Sequence, residues 1–303
     1  MRVILIFLDG VGIGRNDPAT NPFFQAQLPT LKNLLGGEIP HLRKKSISAT
    51  QAECKPVNAT LGVPGLPQSG TGQTAIFTGI NAAKRFGKHF GPFPPSALRE
   101  VIKSQNIFSQ IMQLGKSVVF ANAFPQRFFD YTNSGTRRLT VTTLSCMMAG
   151  VPLFTADDLR RNGAVSAELT RERWPELGYS DIPPISAGMA GKHLWAIALS
   201  HDFTLFEYWL TDHAGHSQKM DFAVETLHKF DEFLGGFLEE FDSKRSLLIL
   251  ISDHGNIEDL STKSHTRNQV PGIAVGERRR EFLSAVKNLT HITPGILSLF
   301  RQS

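Results

Sequence analysis

The chain has 303 residues, of which 41% are hydrophobic and 19% are charged, so it can bury a sizeable core and does not have the composition of a disordered protein. Its net charge of +5 and its pI of about 9.3 suit an anionic small substrate. No zinc finger, basic helix or aromatic–basic RNA motif is present in the sequence, so we expect no nucleic-acid partner.

Cysteine content and the length of the apolar runs bear on location. Cys54 and Cys146 are too few for a disulfide framework and predict a reducing compartment. The apolar start at residues 1–8 is too short for a signal sequence, and no apolar run approaches the roughly 18 residues of a membrane span. We therefore expect a cytoplasmic protein without a membrane partner; nothing in the sequence indicates an oligomeric state.

Short apolar runs predict strands that are buried on both faces, at residues 3–8, 118–121, 203–210, 247–251 and 270–275. Helical patterns lie between them, at residues 29–35, 97–103, 106–114 and 219–241. This alternation predicts an α/β sandwich with a largely parallel central sheet. In the longest helical pattern, Gly235 and Gly236 weaken the middle and allow a kink.

The stretch 125–188 is less regular than the rest of the chain. It holds several prolines and glycines and the pair Arg137-Arg138. We interpret residues 1–303 as a single domain, with 125–188 as a small cap or a set of active-site loops.

Three predicted strands end in a carboxylate. Asp9, Asp212 and Asp253 follow the runs at 3–8, 203–210 and 247–251. Ligands gather at the carboxyl ends of parallel strands. One such aspartate could simply cap the next helix, but three of them, two with a histidine attached, favour a binding site.

Histidines accompany two of these carboxylates. Asp212 and His216 are four residues apart and share a face of a helical turn, Asp253 is followed by His254, and His265 lies in a later polar motif. Mixed oxygen and nitrogen ligands suit Zn or Mn better than Ca or Mg.

Ser69 is the candidate nucleophile. The segment around it, LPQSGTGQTA, predicts a sharp turn followed by a helix over residues 71–78. Ser69 would stand at the N-terminus of that helix, where free N–H groups and the helix dipole favour a phosphate. Thr71 is the alternative nucleophile, and an ordinary helix cap is the alternative role for Ser69.

Taken together, these motifs resemble a known family. VILIFLDGVGIG at 3–14, the Ser69 segment, TDHAGHS at 211–217, SDHGNIED at 252–259 and SHTRNQVP at 264–271 occur in this order. They resemble the metal-binding core of the cofactor-independent phosphoglycerate mutases, members of the alkaline phosphatase superfamily together with phosphopentomutases and nucleotide phosphodiesterases. The resemblance covers residues 1–90 and 195–303 and implies an alkaline-phosphatase-like three-layer sandwich.

The resemblance also implies two metal sites and a mechanism. One metal would be held by Asp9, Ser69, Asp253 and His254, and the other by Asp212, His216 and His265. In such families a serine attacks the phosphate and forms a phosphoserine, which passes the phosphoryl group to water or to an alcohol.

The sequence departs from the mutases in ways that favour hydrolysis. The mutases carry a large inserted domain between the nucleophile and the second carboxylate motif, and the stretch between Ser69 and Asp212 is too short to contain such a domain. In addition, Gln73 stands where the mutases have a histidine. A mutase must retain its product under a cap that excludes water. The sequence therefore predicts a phosphomonoesterase or phosphodiesterase for a small phosphorylated metabolite. The cations expected near the phosphate are Lys88, His89, Arg137, Arg138 and Arg267.

Three alternatives remain besides this function. The first is a compact phosphotransferase resembling the mutases, and the second is a metal-binding protein without catalysis. A sulfatase is disfavoured because the segment at residues 69–73 lacks the proline and the arginine of the sulfatase motif.

Overall fold

The computed structural model of the chain describes residues 1–135 and 138–302. Within these residues the strands form one mixed sheet, in the order β2-β3-β7-β6-β1-β5-β4. The strands are β1 Arg2–Leu8, β2 Ile47–Ser48, β3 Ala52–Val57, β4 Val118–Phe120, β5 Phe203–Tyr208, β6 Ser246–Ser252 and β7 Val270–Gly276. The predicted α/β class is confirmed. The sheet is parallel from β6 through β1 and β5 to β4, and antiparallel where β7, β3 and β2 are added.

Helices cover both faces of this sheet. They are α1 Pro22–Gln25, α2 Pro29–Leu34, α3 Ser69–Thr78, α4 Ala82–Phe86, α5 Arg99–Gln105, α6 Ile107–Met112, α7 Gln126–Asn133, α8 Val141–Met148, α9 Ala156–Arg160, α10 Ala187–Ala198, α11 Leu210–Ser217, α12 Met220–Glu240, α13 Arg279–Ala285 and α14 Ile292–Arg301. The strand expected at 203–210 is shorter than predicted, because helix α11 begins at Leu210. No described helix combines the length and the apolar character that a membrane crossing requires.

The alternation of side chains along β1 places a hydrophobic core on each face of the sheet. Ile4 and Ile6 enter the core formed with helices α2, α10 and α12. Leu5 and Phe7 enter the core formed with α3, α6, α8 and α14. Because successive strand residues point to opposite faces, a fully apolar strand lies between two layers of helices. The three-layer sandwich is thereby confirmed.

Glycines bring helices α10 and α12 into close contact. A Cβ atom added at Gly236 would lie 1.9 Å from the carbonyl oxygen of Gly188, and one added at Gly191 would lie 2.0 Å from that of Phe233. Helix α12 continues through Gly235 and Gly236 to Glu240. Gly236, one of the pair from which we expected a weakened helix, therefore serves the close packing of two helix backbones.

Residues 125–188 are divided between two hydrophobic clusters. Helix α8 buries Val141 and Leu144 in the core beside α3. Leu159, Trp174 and Ile182 form a small separate cluster with neighbouring alanines. The stretch thus contributes a core helix as well as a small outer lobe, while the interpretation of 1–303 as one domain with a reduced cap stays a prediction.

Candidate metal centre

The carboxyl ends of three adjacent parallel strands bring the predicted aspartates together. Asp9 directly follows β1, Asp253 directly follows β6, and Asp212 lies in the first turn of α11 after β5. Leu8 at the end of β1 is in register with Tyr208 of β5 and with Ser252 of β6. The three carboxylates consequently meet at one edge of the sheet, as parallel strand ends must.

The first cluster is formed by Asp9, Ser69, Asp253 and His254. The Nε2 atom of His254 lies 2.9 Å from Ser69 Oγ, 3.3 Å from Asp9 Oδ1 and 3.6 Å from Asp253 Oδ2. Among the described residues, Asp9 Oδ1 and Asp253 Oδ2 are buried without a hydrogen-bond partner. Ligand atoms on a tetrahedral zinc, with bonds of about 2.0–2.2 Å, lie at roughly such separations. The donor set therefore fits a divalent cation.

The second cluster is formed by Asp212, His216 and His265. The Nε2 atoms of the two histidines are 3.2 Å apart, and they lie 3.2 Å (His216) and 3.7 Å (His265) from the carboxylate oxygens of Asp212. The Nδ1 atoms point outward, at 2.9 Å from the carbonyl oxygen of Lys263 and 2.8 Å from that of Pro67. If Nδ1–H donates to these carbonyls, each Nε2 keeps a lone pair directed at the cluster, as metal-binding histidines do.

The pKa shifts of the cluster residues are those of carboxylates held close together in a buried site, where a bound cation would offset their negative charge. Burial, followed by the charge of Asp253, raises the pKa of Asp9 well above its usual range, and burial also raises the pKa of Asp253. Burial opposes protonation of His254, yet the nearby carboxylates of Asp253 and Asp9 raise its pKa to about 10. Burial and the charge of His254 lower the pKa of His265 to about 4, so its ring is neutral, the state that a ligand requires.

Asp212 lies between the two clusters. Donor atoms of Asp212, His216 and His265 lie within 4.8 Å of one another, and so do donor atoms of Asp9, Asp212 and His254. The two ligand sets implied by the resemblance are therefore neighbours in space. This arrangement can hold two cations close together beside one serine hydroxyl.

Two side-chain amides hold the carboxylates in place. Gln73 Nε2 donates to Asp9 Oδ2 at 3.1 Å, and Asn256 Nδ2 donates to Asp212 Oδ1 at 2.6 Å. Neither residue was predicted to belong to the site. A signal was available for both: Gln73 is one helical turn after Ser69, and Asn256 lies inside the SDHGNIED motif.

Glu258, also missed from the sequence, joins two loops of the site: the loop after β1, and the loop between β6 and β7 to which it belongs. The residue is only 1% exposed. Its carboxylate accepts hydrogen bonds from the N–H of Gly12 at 3.0 Å, the N–H of Asn256 at 2.7 Å and the Nδ2 of Asn268 at 3.0 Å. The hydroxyl of Thr266, next to His265, donates to the same carboxylate. One buried carboxylate thus links the loop after β1 to both ends of the loop that joins β6 to β7.

Replacement of Glu258 by glutamine should loosen this junction. The amide has one acceptor oxygen, and its NH₂ group would face donors that have lost their acceptor; each unsatisfied buried group costs about 1–3 kcal/mol. We expect Glu258→Gln to lower the free energy of unfolding of the metal-free protein in urea, and to weaken Mn and Zn binding in a calorimetric titration. Glu240→Gln, at the exposed end of α12, is the matched control. Unchanged stability and metal affinity in Glu258→Gln would contradict the linking role.

Ser69 stands at the first position of α3, as predicted. Gly70 and Gly72 let this helix approach its neighbours: a Cβ atom at Gly70 would lie 2.3 Å from the carbonyl oxygen of Phe93, and one at Gly72 2.9 Å from that of Asp253. The helix N-terminus therefore reaches the first cluster, where its dipole favours an anion.

Thr71, the alternative nucleophile, is tied into the turn that begins α3. Its hydroxyl donates to the carbonyl oxygen of Gln68 and accepts from the N–H of Phe90, both at 3.2 Å. The side chain is fully buried. These bonds occupy the hydroxyl and favour Ser69 as the nucleophile.

The structure describes four of the five cations expected near the substrate. Lys88 and Arg267 are exposed. Burial, with a smaller contribution from the charge of Arg267, lowers the pKa of His89, whose ring contacts the backbone carbonyls of Thr60 and Val63. Arg138 lines a cavity beside the metal centre. Arg137 lies outside the described residues.

The α/β sandwich carries two aspartate–histidine clusters that could hold metal ions at the carboxyl ends of its parallel strands. Residues 186–303 match the model of the Metalloenzyme superfamily. That segment includes most of the candidate ligands, namely Asp212, His216, Asp253, His254 and His265.

Comparison with individual proteins agrees with this class. The 2,3-bisphosphoglycerate-independent phosphoglycerate mutase of Moorella thermoacetica is 28% identical over 127 residues, or 40% of this chain and 25% of that protein. The chain thus spans about a quarter of the length of the curated relatives it matches.

Solved structures show the same fold over the whole chain. A cold-active alkaline phosphatase from a psychrophilic Shewanella species has a TM-score of 0.58 at 12% identity, covering 99% of this chain and 100% of that one. The alkaline phosphatase of the Antarctic bacterium TAB5 has a TM-score of 0.52 at 13% identity, covering 100% and 98%. With the family match, these findings support an alkaline phosphatase-superfamily metalloenzyme, as the sequence motifs predicted.

Proposed function

We propose that the protein is a two-metal-dependent phosphohydrolase that acts on a small phosphorylated metabolite through a phosphoserine at Ser69. The observation that carries this proposal is the position of the Ser69 hydroxyl. It lies at a helix N-terminus, 2.9 Å from His254 Nε2 and beside two buried carboxylate oxygens that lack partners among the described residues. A nucleophile, an anion-binding helix end and a cation site thus coincide.

The residues that would hold the cations are those of the two clusters. They are Asp9, Ser69, Asp253 and His254 for one ion, and Asp212, His216 and His265 for the other. Their mixture of carboxylate, hydroxyl and imidazole donors suits Mn or Zn. When bound, the two ions would lower the pKa of the serine hydroxyl and neutralise charge on the phosphoryl oxygens.

The protein's own groups then account for the transfer. Ser69 Oγ releases its proton to solvent and attacks phosphorus, the bond from phosphorus to the ester oxygen breaks, and the departing oxygen takes a proton from solvent. The first turn of α3 stabilises the phosphoryl anion through its N–H groups and its dipole. A water molecule next attacks the phosphoserine, the bond between phosphorus and Oγ breaks, and inorganic phosphate leaves as the serine hydroxyl is restored.

The small outer lobe supports hydrolysis over internal transfer. A mutase has to retain a dephosphorylated product and keep water out. Here much of residues 125–188 is used for the core helix α8 and for the lobe around Trp174. A phosphotransferase resembling the phosphoglycerate mutases remains the second candidate, favoured by the mutase relatives. The presence of every candidate ligand and of Ser69 argues against a non-catalytic metal-binding protein.

The cellular setting belongs to the same proposal. Cys54 and Cys146 are both buried and unpaired, and burial raises the pKa of each thiol to about 12. Such thiols serve as small apolar core side chains and are compatible with a reducing compartment. We place the enzyme in the cytoplasm, with a small phosphorylated molecule as its partner.

Phosphate release from a panel of monoesters and diesters tests the proposed activity. The protein is stripped of metal and refilled with Mn or Zn, and phosphate is measured with and without metal. We expect release that depends on metal and is confined to one ester type. Metal-dependent isomerisation of a phosphoglycerate without phosphate release would replace this proposal with the mutase; no turnover of any ester with metal bound would favour the non-catalytic alternative.

A further inference from the structure

A cavity of about 290 Å³ lies next to the metal centre, between the end of β5 and the segment 122–177. Glu207 near the end of β5 and Trp209 just before α11 form its inner wall. Trp209 directly precedes helix α11, which carries Asp212 and His216 of the second cluster. None of the seven candidate ligands lines the cavity, which leaves it free for the part of a substrate beyond its phosphoryl group.

Aromatic side chains form much of the wall. Phe124 and Phe128 pack against each other with ring centroids 4.4 Å apart. Trp174 is fixed by a hydrogen bond from its Nε1 to Ser166 Oγ at 2.7 Å. Trp209 is 38% exposed and presents a large ring at the side nearest the metal centre. A polyol would leave hydroxyl groups unsatisfied against this wall, whereas a planar ring can stack on it.

Positive charge is also concentrated at this cavity. Arg127, Arg138 and Arg173 line it, and no ion pair of their guanidinium groups occurs within residues 1–135 and 138–302. Of the two acids in the wall, Glu168 accepts hydrogen bonds from nearby residues of its own loop. Burial raises the pKa of the other, Glu207, to about 7. The three arginines therefore outweigh the acids, and guanidinium groups without partners select carboxylates and phosphates.

We propose that this cavity holds the organic part of the substrate, and that this part carries a planar ring and a second anionic group. The inference rests on the proposed function, which places the phosphoryl group at Ser69. The ring would stack against Trp209 and the phenylalanines, and the second anion would be bound by the three arginines. The protein would then prefer aromatic or heteroaromatic phosphate esters with an additional carboxylate or phosphate over esters of small polyols.

Binding of phosphonates tests this assignment without turnover, because a carbon–phosphorus bond is not hydrolysed. Methylphosphonate, phenylphosphonate and 4-phosphonobenzoate add first a ring and then a carboxylate to one phosphoryl mimic. We expect calorimetric titration of the metal-loaded protein to show that the dissociation constant falls by about tenfold with each added group, which corresponds to about 1.4 kcal/mol of binding free energy. Fluorescence of Trp174 and Trp209 should change with the two ring compounds only.

Variants assign each step to its side chains. Trp209→Ala should remove most of the advantage of phenylphosphonate over methylphosphonate. The triple variant Arg127→Met, Arg138→Met, Arg173→Met should remove the advantage of the carboxylate and leave methylphosphonate binding unchanged. Arg245→Met is the matched control, since this exposed arginine precedes β6 at the opposite edge of the sheet. Thermal melting verifies that each variant is folded.

The outcomes separate this inference from the proposed function. Equal affinity for the three phosphonates, or an unchanged carboxylate preference in the triple variant, would overturn the cavity assignment while leaving the phosphohydrolase in place. Absence of metal-dependent methylphosphonate binding would overturn the phosphoryl site and, with it, the inference. If the ranking holds but no ester releases phosphate, the cavity assignment stands and hydrolysis is wrong.

Discussion

Replacement of Ser69 by alanine is expected to abolish the phosphoenzyme and to lower phosphate release by about 10³-fold or more, the range found when a catalytic nucleophile is removed. The hydroxyl supplies the attacking oxygen, and no other described hydroxyl is in the same position: that of Thr71 is bonded inside its turn. Asp9, Asp253 and His254 remain as donors in the variant. The first metal should therefore still bind, although less tightly.

Transfer of radiolabelled phosphate from an ester to the protein measures this directly. Wild-type protein should retain label on acid quenching, and Ser69→Ala should retain none while its metal content shows that the clusters persist. Ser264→Ala is the matched control, because this serine is exposed and its hydroxyl, within residues 1–135 and 138–302, bonds only to that of Thr262. Label on Ser69→Ala would point to Thr71 and refute the nucleophile assignment.

Replacement of His216 by alanine is expected to remove the second metal and most of the rate, with little change in the fold. The His216 side chain is 44% exposed, so its loss leaves no large cavity. Only Asp212 and His265 would remain as donors from the second set. We expect metal affinity at this site to fall by at least about 100-fold, because even the loss of an outer-shell partner can weaken a metal site this much.

Metal analysis and phosphate release measure the effect together. The variant should hold one ion per chain where the wild type holds two, and its thermal unfolding without metal should match that of the wild type. His201→Ala provides the control: this histidine precedes β5, at the end of the sheet away from both clusters, and its Nδ1 contacts the carbonyl oxygen of Ile197. Full metal content with wild-type turnover in His216→Ala would show that the second ligand set is wrong.

The central part of the fold could be predicted from local pattern alone. Strands β1, β5 and β6 are apolar on both faces because helices cover both sides of the sheet, and such runs are distinctive. Their carboxyl ends had to meet, which placed Asp9 and Asp253 beside each other. The four-residue spacing of Asp212 and His216 was sufficient to put them on one face of α11.

Strand β7 was also expected, at residues 270–275, but the antiparallel strands β2 and β3 could not be predicted in this way. Strand β3 contains Glu53, Lys55 and Pro56, which disfavour a strand by propensity. It forms because β7 offers a pairing edge, and Glu53 is 2.8 Å from Arg280 and accepts a hydrogen bond from Ser48. These partners are distant in sequence, so tertiary context decided the structure.

Parts of the site were missed for the same reason. Glu258 binds backbone and side-chain donors from two loops that are far apart in the sequence, and no spacing rule relates Gly12 to Thr266. The doublet Arg137-Arg138 is recognisable as a local pattern in the sequence. Arg127 and Arg173, in contrast, line the same cavity as Arg138 only because of the way the segment 122–177 folds. When single residues from separate turns come together only in the folded chain, no local sequence pattern predicts that they share a site.

The division of the site along the chain has an evolutionary consequence. All seven candidate ligands lie outside residues 70–211, whereas most of the cavity wall comes from the segment 122–177. Two hydrogen bonds between the side chain of Asn122 and the backbone of Glu207 hold this segment to β5. Insertions or exchanges in that segment can therefore alter substrate selection without rebuilding the metal centre. Because the segment also contains the core helix α8, a graft from a relative would have to keep that helix and exchange the loops on either side of it.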